Sequence, residues 1–364
     1  MIERDIINQF AIEGKLREVA CFGGGHINDS YLASFESDGS RKRYVLQRIN
    51  RNVFKDPLAV MDNMVRVTNH IRQKLMDSGV SDLDRRVLTI IPANNGKNYV
   101  RDKAGDIWRV TRYISCSKTY DIPEITEQIF QAAKAFGLFQ QQLADLPGPP
   151  LKETIEGFHD SRRILENFLA ALRMDTVRRV VDCEDEINFI LDHRFIVEEI
   201  DKLIRSGSLP VRNTHNDTKV NNVLIDDKTG DGICVIDLDT VMPRSSVFDF
   251  GDLVRTVGTT AAEDERDLSK VNLEFERYEA VLGGFLQGTQ GMLTAMEIDS
   301  LFLGAVVIVY DQAVRFLCDF LNGDIYYKVK TEDHNLFRAR TQIKLLQCLM
   351  ESRALLERMA TGRS

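Results

Sequence analysis

The chain has 364 residues, of which 43% are hydrophobic and 28% are charged. This ordinary composition excludes a disordered chain and a coiled coil, and the length suits two lobes better than one simple core. The formal net charge of −8 at pH 7 offers no basic surface for nucleic acid, so we expect small-molecule partners instead.

The cysteines and the apolar segments indicate where in the cell the protein is expected to be. Six cysteines are scattered without a C-x-x-C pair, which indicates reduced, mostly buried thiols in a cytoplasmic protein. The N-terminal sequence MIERDIINQF carries charges where a signal peptide needs an apolar core. The apolar run at 301–310 ends at Asp311, at half the length of a membrane span. We therefore expect no membrane partner; the oligomeric state stays open, and a monomer fits the sequence.

The first 113 residues are predicted to form a sheet with one helix. A glycine-rich segment, GGG at 23–25, leads into the strand-like SYLASFE, and RYVLQRI at 43–49 predicts another strand. The periodic segment 57–79 predicts a helix that ends at a glycine. Further strands are predicted at 87–93, 98–100 and 106–114, because turns rich in Asn, Gly and Asp separate these apolar runs.

The rest of the chain is predicted to be mainly helical. Only short strands around 223–225 and 233–237 interrupt helical periodicity at 125–146, 161–172, about 184–206, 267–287, 297–321 and 333–359. A sheet with a helix followed by a helical region predicts an α+β, bilobal protein-kinase-like fold. The predicted lobes are an N-terminal nucleotide-binding lobe at 1–113 and a C-terminal helical catalytic and substrate lobe at 114–364.

One polar run carries the chemistry. His215, Asp217, Lys219 and Asn222 form an H-x-D-x-K-x-x-N pattern, and an apolar strand delivers Asp237 twenty positions after Asp217. Phosphoryl transfer needs a carboxylate at the acceptor hydroxyl, a cation at the moving phosphate, and oxygen ligands for Mg²⁺. The run predicts Asp217 as base, Lys219 as the cation, and Asn222 with Asp237 as metal ligands. His215 is predicted to brace the loop through hydrogen bonds.

Each of these residues also has an ordinary structural interpretation. Asp217 and Asn222 are common turn residues, and Lys219 fits a solvated loop. By the period of two in a strand, Asp239 lies on the same face as Asp237, where it is a second metal ligand, a carboxylate that supports the metal site without binding the ion, or a backbone partner. The two carboxylates of FDFGD, Asp249 and Asp252, can anchor the loop after the metal site, and Asp252 alternatively caps a helix.

The glycine-rich loop GGGHINDS, at 23–30, can bring backbone N–H groups near phosphates, although a tight hairpin explains it equally well. Its His26, Asn28 and Asp29 are polar enough to reach a ligand. The strand that should carry the phosphate-binding lysine of protein kinases has Gln47 in that position and Arg48 on the opposite face. Either side chain can approach nucleotide phosphates, but a lysine–glutamate pair is not expected.

These residues give the chain a resemblance to the aminoglycoside phosphotransferase-like family of small-molecule kinases, most closely to the N-acetylhexosamine 1-kinases. The specific strings are HNDTKVNNVLID and CVIDLDTVM. Supporting strings are GGGHINDSY, YVLQRINRNVF, WRVTRYI, GFHDSRR, FDFGD and RFLCDFLNGDIYYK. They extend from residue 23 to 328, so the resemblance covers nearly the whole chain.

The resemblance implies transfer of the γ-phosphate of ATP, with Mg²⁺, to the anomeric hydroxyl of N-acetylglucosamine or N-acetylgalactosamine. It implies Asp217 as base and Asp237 as metal ligand, and sugar contacts from Thr240, Arg315 and Tyr326. Alternatively, Arg315 pairs with Asp311 one helical turn earlier and Tyr326 is an interface aromatic. We further expect nucleotide contacts from Gly23, Gly24, Gly25, Gln47, Arg48, Arg112 and Tyr113, and a substrate contact from His26.

Two other functions compete with this one. The same fold acting on another small alcohol, such as an aminoglycoside, choline or ethanolamine, homoserine or methylthioribose, would keep the mechanism and change the acceptor. A choline enzyme needs an aromatic cage, for which the single tryptophan is poorly placed. A non-catalytic pseudokinase would show degraded catalytic positions, whereas Asp217, Asn222 and Asp237 are all present.

Overall fold

The computed structural model describes residues 2–23 and 27–362. The described chain divides into two compact units. The first comprises Met1–Thr119, Gln142–Glu156 and Val223–Pro243, and the second Tyr120–Gln141, Gly157–Asn222 and Arg244–Ser364. The predicted lobe boundary at residue 113 stays a prediction, since the first unit also includes two later segments.

The first unit is built on a five-stranded antiparallel sheet. The elements up to Thr119 are α1 (Ile2–Ile7), β1 (Lys15–Cys21), β2 (Asp29–Ser37), β3 (Ser40–Arg48), α2 (Pro57–Asp77), α3 (Leu83–Arg86), β4 (Val100–Arg101), β5 (Ile107–Arg112) and β6 (Ser117–Lys118). The strand order in the sheet is β1-β2-β3-β5-β4. Period-two alternation turns one sheet face to a buried cluster that includes Phe35, Leu46 and Val110. The predicted sheet and the helix at 57–79 are therefore confirmed.

The strand predicted at 87–93 is wrong. The segment forms isolated bridges, Ile90 with Thr111 and Ala93 with Phe10, and no continuous ladder. Pro92 has no N–H to donate, which limits the length of any ladder here. The short helices α1 and α3 were also not predicted.

The register of the sheet defines two neighbouring rows on its other face. Ala20 lies opposite Leu32, which lies opposite Val45. Two residues along, Ser30 lies opposite Gln47, and Gln47 opposite Arg109. Because side chains two residues apart share a face, an apolar row and a polar row run side by side across the sheet.

The first unit also contains a hairpin of β8 (Val223–Asp226) and β9 (Gly232–Val235), with β6 pairing along β8. This confirms the two short strands predicted around 223–225 and 233–237. A 3₁₀ turn at 238–240 follows, and helix α2 packs against it. The amide of Asn63 on α2 donates to the carbonyl of Val241 at 3.0 Å, which ties the end of the hairpin to the helix.

Helices dominate the second unit. Beyond Thr119 the helices and remaining strands are α4 (Thr126–Leu143), α5 (Ser161–Met174), α6 (Glu184–Asp192), α7 (Phe195–Arg205), β7 (Arg212–Thr214), β10 (Met242–Arg244), α8 (Ser246–Val257), α9 (Phe275–Gly288), α10 (Ala295–Asp299), α11 (Leu301–Leu321), α12 (His334–Glu351) and α13 (Arg353–Thr361). The predicted helices at 184–206 and 333–359 are each two helices. The sequence also did not predict α8, which carries both carboxylates of FDFGD.

Helix α11 is the centre of the second unit, where it contacts α5, α8 and α12. It is the one described helix that is long and apolar enough to cross a membrane, and 78% of its most apolar window is buried inside the protein. Core helices of soluble proteins meet the same criteria.

Helices α8 and α11 cross at two glycines. A methyl group on Gly251 would lie 2.3 Å from the carbonyl oxygen of Gly304, and one on Gly304 would lie 2.2 Å from the carbonyl oxygen of Val247. Neither distance is tolerable, so the close approach of the two backbones requires glycine at both positions.

All six cysteines are free thiols. Cys183 and Cys234 are buried, as expected, but Cys21 and Cys116 are exposed, so the prediction that the thiols are mostly buried is only partly right.

Candidate active site

The loop that carries Asp217 is held by a buried carboxylate on α8. Asp249 is fully buried, and its two oxygens accept from the backbone N–H groups of His215 (2.8 Å) and Asn216 (2.7 Å). The amide of Gln140 donates to the same carboxylate at 2.6 Å, and the hydroxyl of Thr218 donates to the carbonyl of Asp249 at 2.6 Å. Burial raises the pKa of Asp249 in spite of these donors. Asp249 therefore anchors the loop that leads into Asp217. The prediction that it anchors the loop after the metal site is wrong.

His215 braces the same loop. Its ring is buried edge-on against Phe136, with 5.0 Å between ring centroids, and its Nδ1 accepts from the backbone N–H of Asp217 at 3.3 Å. Asn216, between them, has a left-handed backbone with φ of 67°. Such conformations are costly for residues other than glycine and persist where surrounding contacts enforce them. The loop geometry is therefore set by its neighbours.

Asp217, Lys219 and Asn222 lie together, as the predicted motif requires. The ammonium of Lys219 is 3.0 Å from one oxygen of Asp217, and the amide of Asn222 donates to the other at 3.1 Å. Burial works against the charged form of Lys219, but the attraction of Asp217 outweighs it and the pKa of the lysine is raised. Lys219 is therefore a cation at any physiological pH.

Asp252 is a second carboxylate near this group. It pairs with Arg255 at 2.9 Å, one turn later on α8, and lies inside the helix, which rules out the predicted capping alternative. Burial would raise its pKa, yet Arg255 and the other nearby positive charges keep it below the ordinary value. The predicted role as an anchor of the loop after the metal site stays a prediction.

Arg315, predicted to contact the sugar, lies on α11 next to the segment that precedes α5. Its guanidinium lies 5.1 Å from the centre of the Phe158 ring. Burial and the charge of Arg315 lower the pKa of the neighbouring His159 to about 3, so this histidine is neutral. The alternative partner of Arg315, Asp311, makes no ion pair with it in the described part of the chain; its carboxylate accepts from Ser161 at 2.7 Å. Burial raises the pKa of Asp311 to about 7.

Tyr326 lies on a loop that Asp319 fastens. The buried carboxylate of Asp319 accepts from the backbone N–H groups of Tyr326 (2.8 Å) and Tyr327 (3.0 Å) and from the amide of Asn335 (2.8 Å). The Tyr326 side chain is largely exposed, and its ring packs edge to face against the ring of Tyr327. An exposed aromatic ring on a fastened backbone suits either predicted interpretation, a sugar contact or an interface.

In the first unit, Asp237 follows β9 with a left-handed backbone, φ 58° and ψ 58°, and is exposed. Asp239, two residues later, is buried and forms an ion pair with Arg109, while its other oxygen accepts from the amide of Asn28 at 2.6 Å. Both oxygens of Asp239 therefore have protein partners. Its predicted role as a metal ligand, like that of Asp237 and the sugar contact of buried Thr240, stays a prediction.

The residues predicted to hold Mg²⁺ fit that ion in their chemistry. Asp237 and Asn222 offer a carboxylate and an amide oxygen, which are hard ligands of the kind Mg²⁺ prefers. No cluster of three or more His, Cys, Asp or Glu side chains that could hold a metal occurs in residues 2–23 and 27–362. Mg²⁺ in nucleotide sites needs no such cluster, because substrate phosphates and water complete its shell.

The glycine-rich loop is described only in part. Gly24, Gly25 and His26 lie outside the described residues; Gly23 has φ of 74°, which glycine adopts without strain. Asn28, at the end of the loop, also accepts from the backbone N–H of Asn50 at 2.9 Å. Its amide is thus committed to the protein on both sides.

The two strand residues predicted to reach phosphates have protein partners. The amide of Gln47 donates to Ser30 at 3.0 Å and accepts from Arg109 at 2.9 and 3.0 Å. Arg48, on the opposite face as predicted, pairs with Asp29 at the start of β2. Their contacts with nucleotide stay predictions.

Arg112 and Tyr113 were also expected to contact the nucleotide. The N–H of Arg112 donates to Thr89 and that of Tyr113 to Arg43, so these two donors are used inside the protein. The ring of Tyr113 meets that of Phe22 edge-on at 5.9 Å. A cavity of about 390 Å³ opens on the same sheet face as the apolar row, lined by side chains that include Ala20, Phe22 and Leu32. Glu18, Ser34, Arg41 and Arg43 also line the cavity, so its surface is part apolar and part charged.

Arg109 is the site residue that the sequence did not predict. It occurs inside the string WRVTRYI, where alternation alone makes it one more polar strand residue. Its 1% exposure was the missing information, since a buried arginine requires partners. Its position opposite Gln47, which stands where a lysine was expected, follows from the strand register and not from the local sequence pattern.

The first unit, an antiparallel sheet with helices, and the helical second unit have the α+β architecture of the kinase-like phosphotransferases. Solved structures agree on this fold. The aminoglycoside phosphotransferase of Alicyclobacillus acidocaldarius is 13% identical, with a TM-score of 0.61 over 98% of this chain and 97% of that one. A spectinomycin phosphotransferase solved with ADP and spectinomycin is 14% identical (TM-score 0.56, 97% of each chain). A choline/ethanolamine kinase family protein from Mesorhizobium loti is 15% identical (0.52; 95% and 93%).

The model of the phosphotransferase enzyme family matches residues 18–282, well over half of the chain. The chain belongs to this family.

Proposed function

We propose that the protein is an ATP- and Mg²⁺-dependent sugar kinase that phosphorylates the anomeric hydroxyl of N-acetylglucosamine or N-acetylgalactosamine. The geometry of Asp217 is the observation that supports phosphoryl transfer most. Lys219 and Asn222 each bind one oxygen of its carboxylate, and Asp249 holds the loop from the other side. A carboxylate fixed in this way is preorganised for one task.

That task is proton removal from the acceptor. As the acceptor oxygen bonds to the γ-phosphorus, the bond from phosphorus to the β–γ bridging oxygen breaks and ADP leaves. The hydroxyl proton passes to Asp217 as general base. Lys219, a cation throughout the physiological range, offsets negative charge on the transferred group.

Mg²⁺ would be held by Asp237, with the amide oxygen of Asn222 as a further ligand, and it would neutralise charge on the phosphates. The base of ATP is proposed to lie against Ala20, Phe22 and Leu32, on the apolar side of a cavity whose other side carries Glu18, Arg41 and Arg43. Because ATP is the co-substrate, the proposal places the enzyme in the cytoplasm. The solved spectinomycin phosphotransferase binds ADP, which supports an adenine nucleotide.

The choice of an N-acetylated sugar rests on two of the strings that carry the resemblance. GFHDSRR and RFLCDFLNGDIYYK are more than 140 positions apart in the sequence, yet Arg315 lies over Phe158 and beside His159. An aromatic face, a guanidinium and a neutral imidazole suit a ring with hydroxyl groups and an amide. A polycationic aminoglycoside would gain nothing from Arg315.

The second candidate is the same chemistry on another small alcohol. The fold is shared with proteins described as aminoglycoside phosphotransferases and as choline/ethanolamine kinases. The carboxylates of the segment 249–267 favour a cationic acceptor, although one of them, Glu263, already pairs with Arg255 and Arg338. A pseudokinase is disfavoured because Asp217 is held as a working base would be.

Release of ADP should be measured with Mg²⁺-ATP and N-acetylglucosamine, N-acetylgalactosamine, glucose, galactose, kanamycin, choline and homoserine. Turnover on the N-acetylated sugars, giving a phosphate stable to alkali and labile to acid, supports the proposal. Turnover on kanamycin or choline alone would replace the substrate and keep the mechanism. The Asp217→Asn variant is the matched control for contaminating kinases, and its product should be negligible on every acceptor.

A further inference from the structure

The polar row of the sheet continues into a buried network that reaches the 3₁₀ turn at 238–240, directly after Asp237. Arg109 is 1% exposed, and its guanidinium binds the amide oxygen of Gln47 through two nitrogens and the carboxylate of Asp239 through a third. The same nitrogen, Nη1, lies 3.4 Å from the sulfur of Met64 on α2. The network therefore joins two strands, helix α2 and the 3₁₀ turn at 238–240.

A second branch reaches the glycine-rich loop. The amide nitrogen of Asn28 donates to the Asp239 oxygen that Arg109 does not use, and its amide oxygen accepts from Asn50. Asn50 in turn donates to the carbonyl of Ile27 at 3.0 Å. The end of the loop is thus fixed to the same carboxylate that sets the turn after Asp237.

A buried ion pair is expensive to desolvate and is poor evidence for stability as such. It is well suited to holding two elements in one arrangement. In protein kinases, a strand lysine and a helix glutamate must pair before the nucleotide is placed correctly. Here Gln47 stands in the lysine position, and helix α2 presents the uncharged Met64 to the network.

We propose that Arg109 and Asp239 are positioning residues that replace the lysine–glutamate pair, with the charges carried by a different strand and by the turn after the metal ligand. The pair fixes the position of Asp237, which lies two residues before Asp239, and the position of the end of the glycine-rich loop. Both are fixed relative to the sheet face that carries the apolar and polar rows. This inference rests on the proposed function and extends it: Asp239 orients the metal ligand and is not itself one.

The test is a double-mutant cycle of Arg109→Met, Asp239→Asn and the double variant, followed by thermal unfolding and Mg²⁺-dependent binding of a fluorescent ATP analogue. Each single change leaves one buried charge without its partner, so both should unfold at clearly lower temperatures. The double change removes both charges and should recover most of the lost melting temperature.

The binding measurement distinguishes a pair that positions Asp237 from a pair that only stabilises the fold. If the pair positions Asp237, the stable double variant should still need at least tenfold more Mg²⁺ than the wild type to bind the analogue. Equal Mg²⁺ dependence within twofold would overturn the inference and leave a structural pair only. Arg109→Lys keeps the charge but cannot bind Gln47 and Asp239 together. Its Mg²⁺ requirement for binding the analogue should therefore lie between those of the wild type and Arg109→Met.

Asn28→Ala provides a second route if the double variant does not fold. The substitution removes one branch of the network near the surface, so the variant should unfold close to the wild-type temperature. Its binding of the analogue should be at least threefold weaker, and unchanged binding contradicts the inference. Arg17→Met removes an exposed 2.7 Å pair with Glu36 in the same sheet and should change neither quantity. Binding of the ATP analogue needs no acceptor. If the wild type binds the analogue but phosphorylates no acceptor, the sugar-kinase proposal is refuted and the inference about the ion pair is not.

Discussion

Asp311 provides a prediction whose sign and size can both be worked out. The residue lies in the middle of α11, it is 2% exposed, and one of its oxygens, Oδ1, is buried without a hydrogen-bond partner among the described residues. The other oxygen accepts from Ser161. Burial disfavours the charged carboxylate and raises its pKa to about 7, from an ordinary value of 3.8.

This difference becomes a dependence of stability on pH. The contribution of Asp311 is fully present below its unfolded pKa near 3.8, declines as the pH rises, and is lost above the folded pKa near 7. A difference of about three pH units corresponds to about 4 kcal/mol at 1.36 kcal/mol per unit, and local relaxation reduces the expected loss to about 2–4 kcal/mol. That is a large part of the 5–15 kcal/mol that stabilises a typical domain.

The Asp311→Asn change imitates the protonated side chain, because an amide has nearly its shape and can still accept from Ser161. Because the wild type loses this contribution progressively above pH 3.8, we expect the advantage of the variant in free energy of unfolding to grow by about 2 kcal/mol between pH 5 and pH 8. For a protein of this size, such a gain raises the melting temperature by several degrees. Calorimetric melting of both proteins between pH 5 and 8.5 measures the difference directly. A difference that does not change with pH would refute the reasoning, since other carboxylates cancel in the comparison.

Three further outcomes concern the proposed chemistry. Asp217→Asn should lower kcat by about 10²- to 10⁴-fold and leave nucleotide affinity within twofold; unchanged turnover would remove the base assignment. Asp237→Asn should raise the Mg²⁺ concentration for half-maximal activity by about tenfold, and a normal Mg²⁺ titration would contradict its role. Asp319→Asn weakens acceptance from the N–H groups of Tyr326 and Tyr327, at a cost of about 1–3 kcal/mol. The KM for the sugar should then rise about fivefold or more at constant KM for ATP, and a change in both would point to general damage.

The sequence predicted those parts of the fold that depend on local periodicity. Helices α2 and α5 begin within a residue of their predicted starts, because each combines a regular apolar stripe with an aspartate cap. Failures arose where the chain's environment decided the outcome. The apolar segment at 87–93 has strand-like composition, but its pairing is confined to isolated bridges. Helix α8 is buried nearly throughout, so it lacks the polar face that reveals a helix.

The candidate site divides in the same way. The spacing of Asp217, Lys219 and Asn222 is local, and the three side chains do lie together. The partners of Asp249 and Asp239 are far away in sequence: Asn216 is 33 positions from the first, and Arg109 is 130 positions from the second. Nothing in a local pattern states which distant group a buried carboxylate will meet. Burial itself requires that some such group exists.

The crossing of α8 and α11 at Gly251 and Gly304 has a consequence for how variants of this protein should be interpreted. A methyl group at either glycine would separate the helices, and Asp249 would move with α8, together with the loop that it holds. A random mutagenesis screen would then record an inactive enzyme whose Asp217, Lys219 and Asn222 are unchanged. Inspection of the proposed reaction centre alone would miss the cause, because the change lies at a contact between two helices that requires glycine.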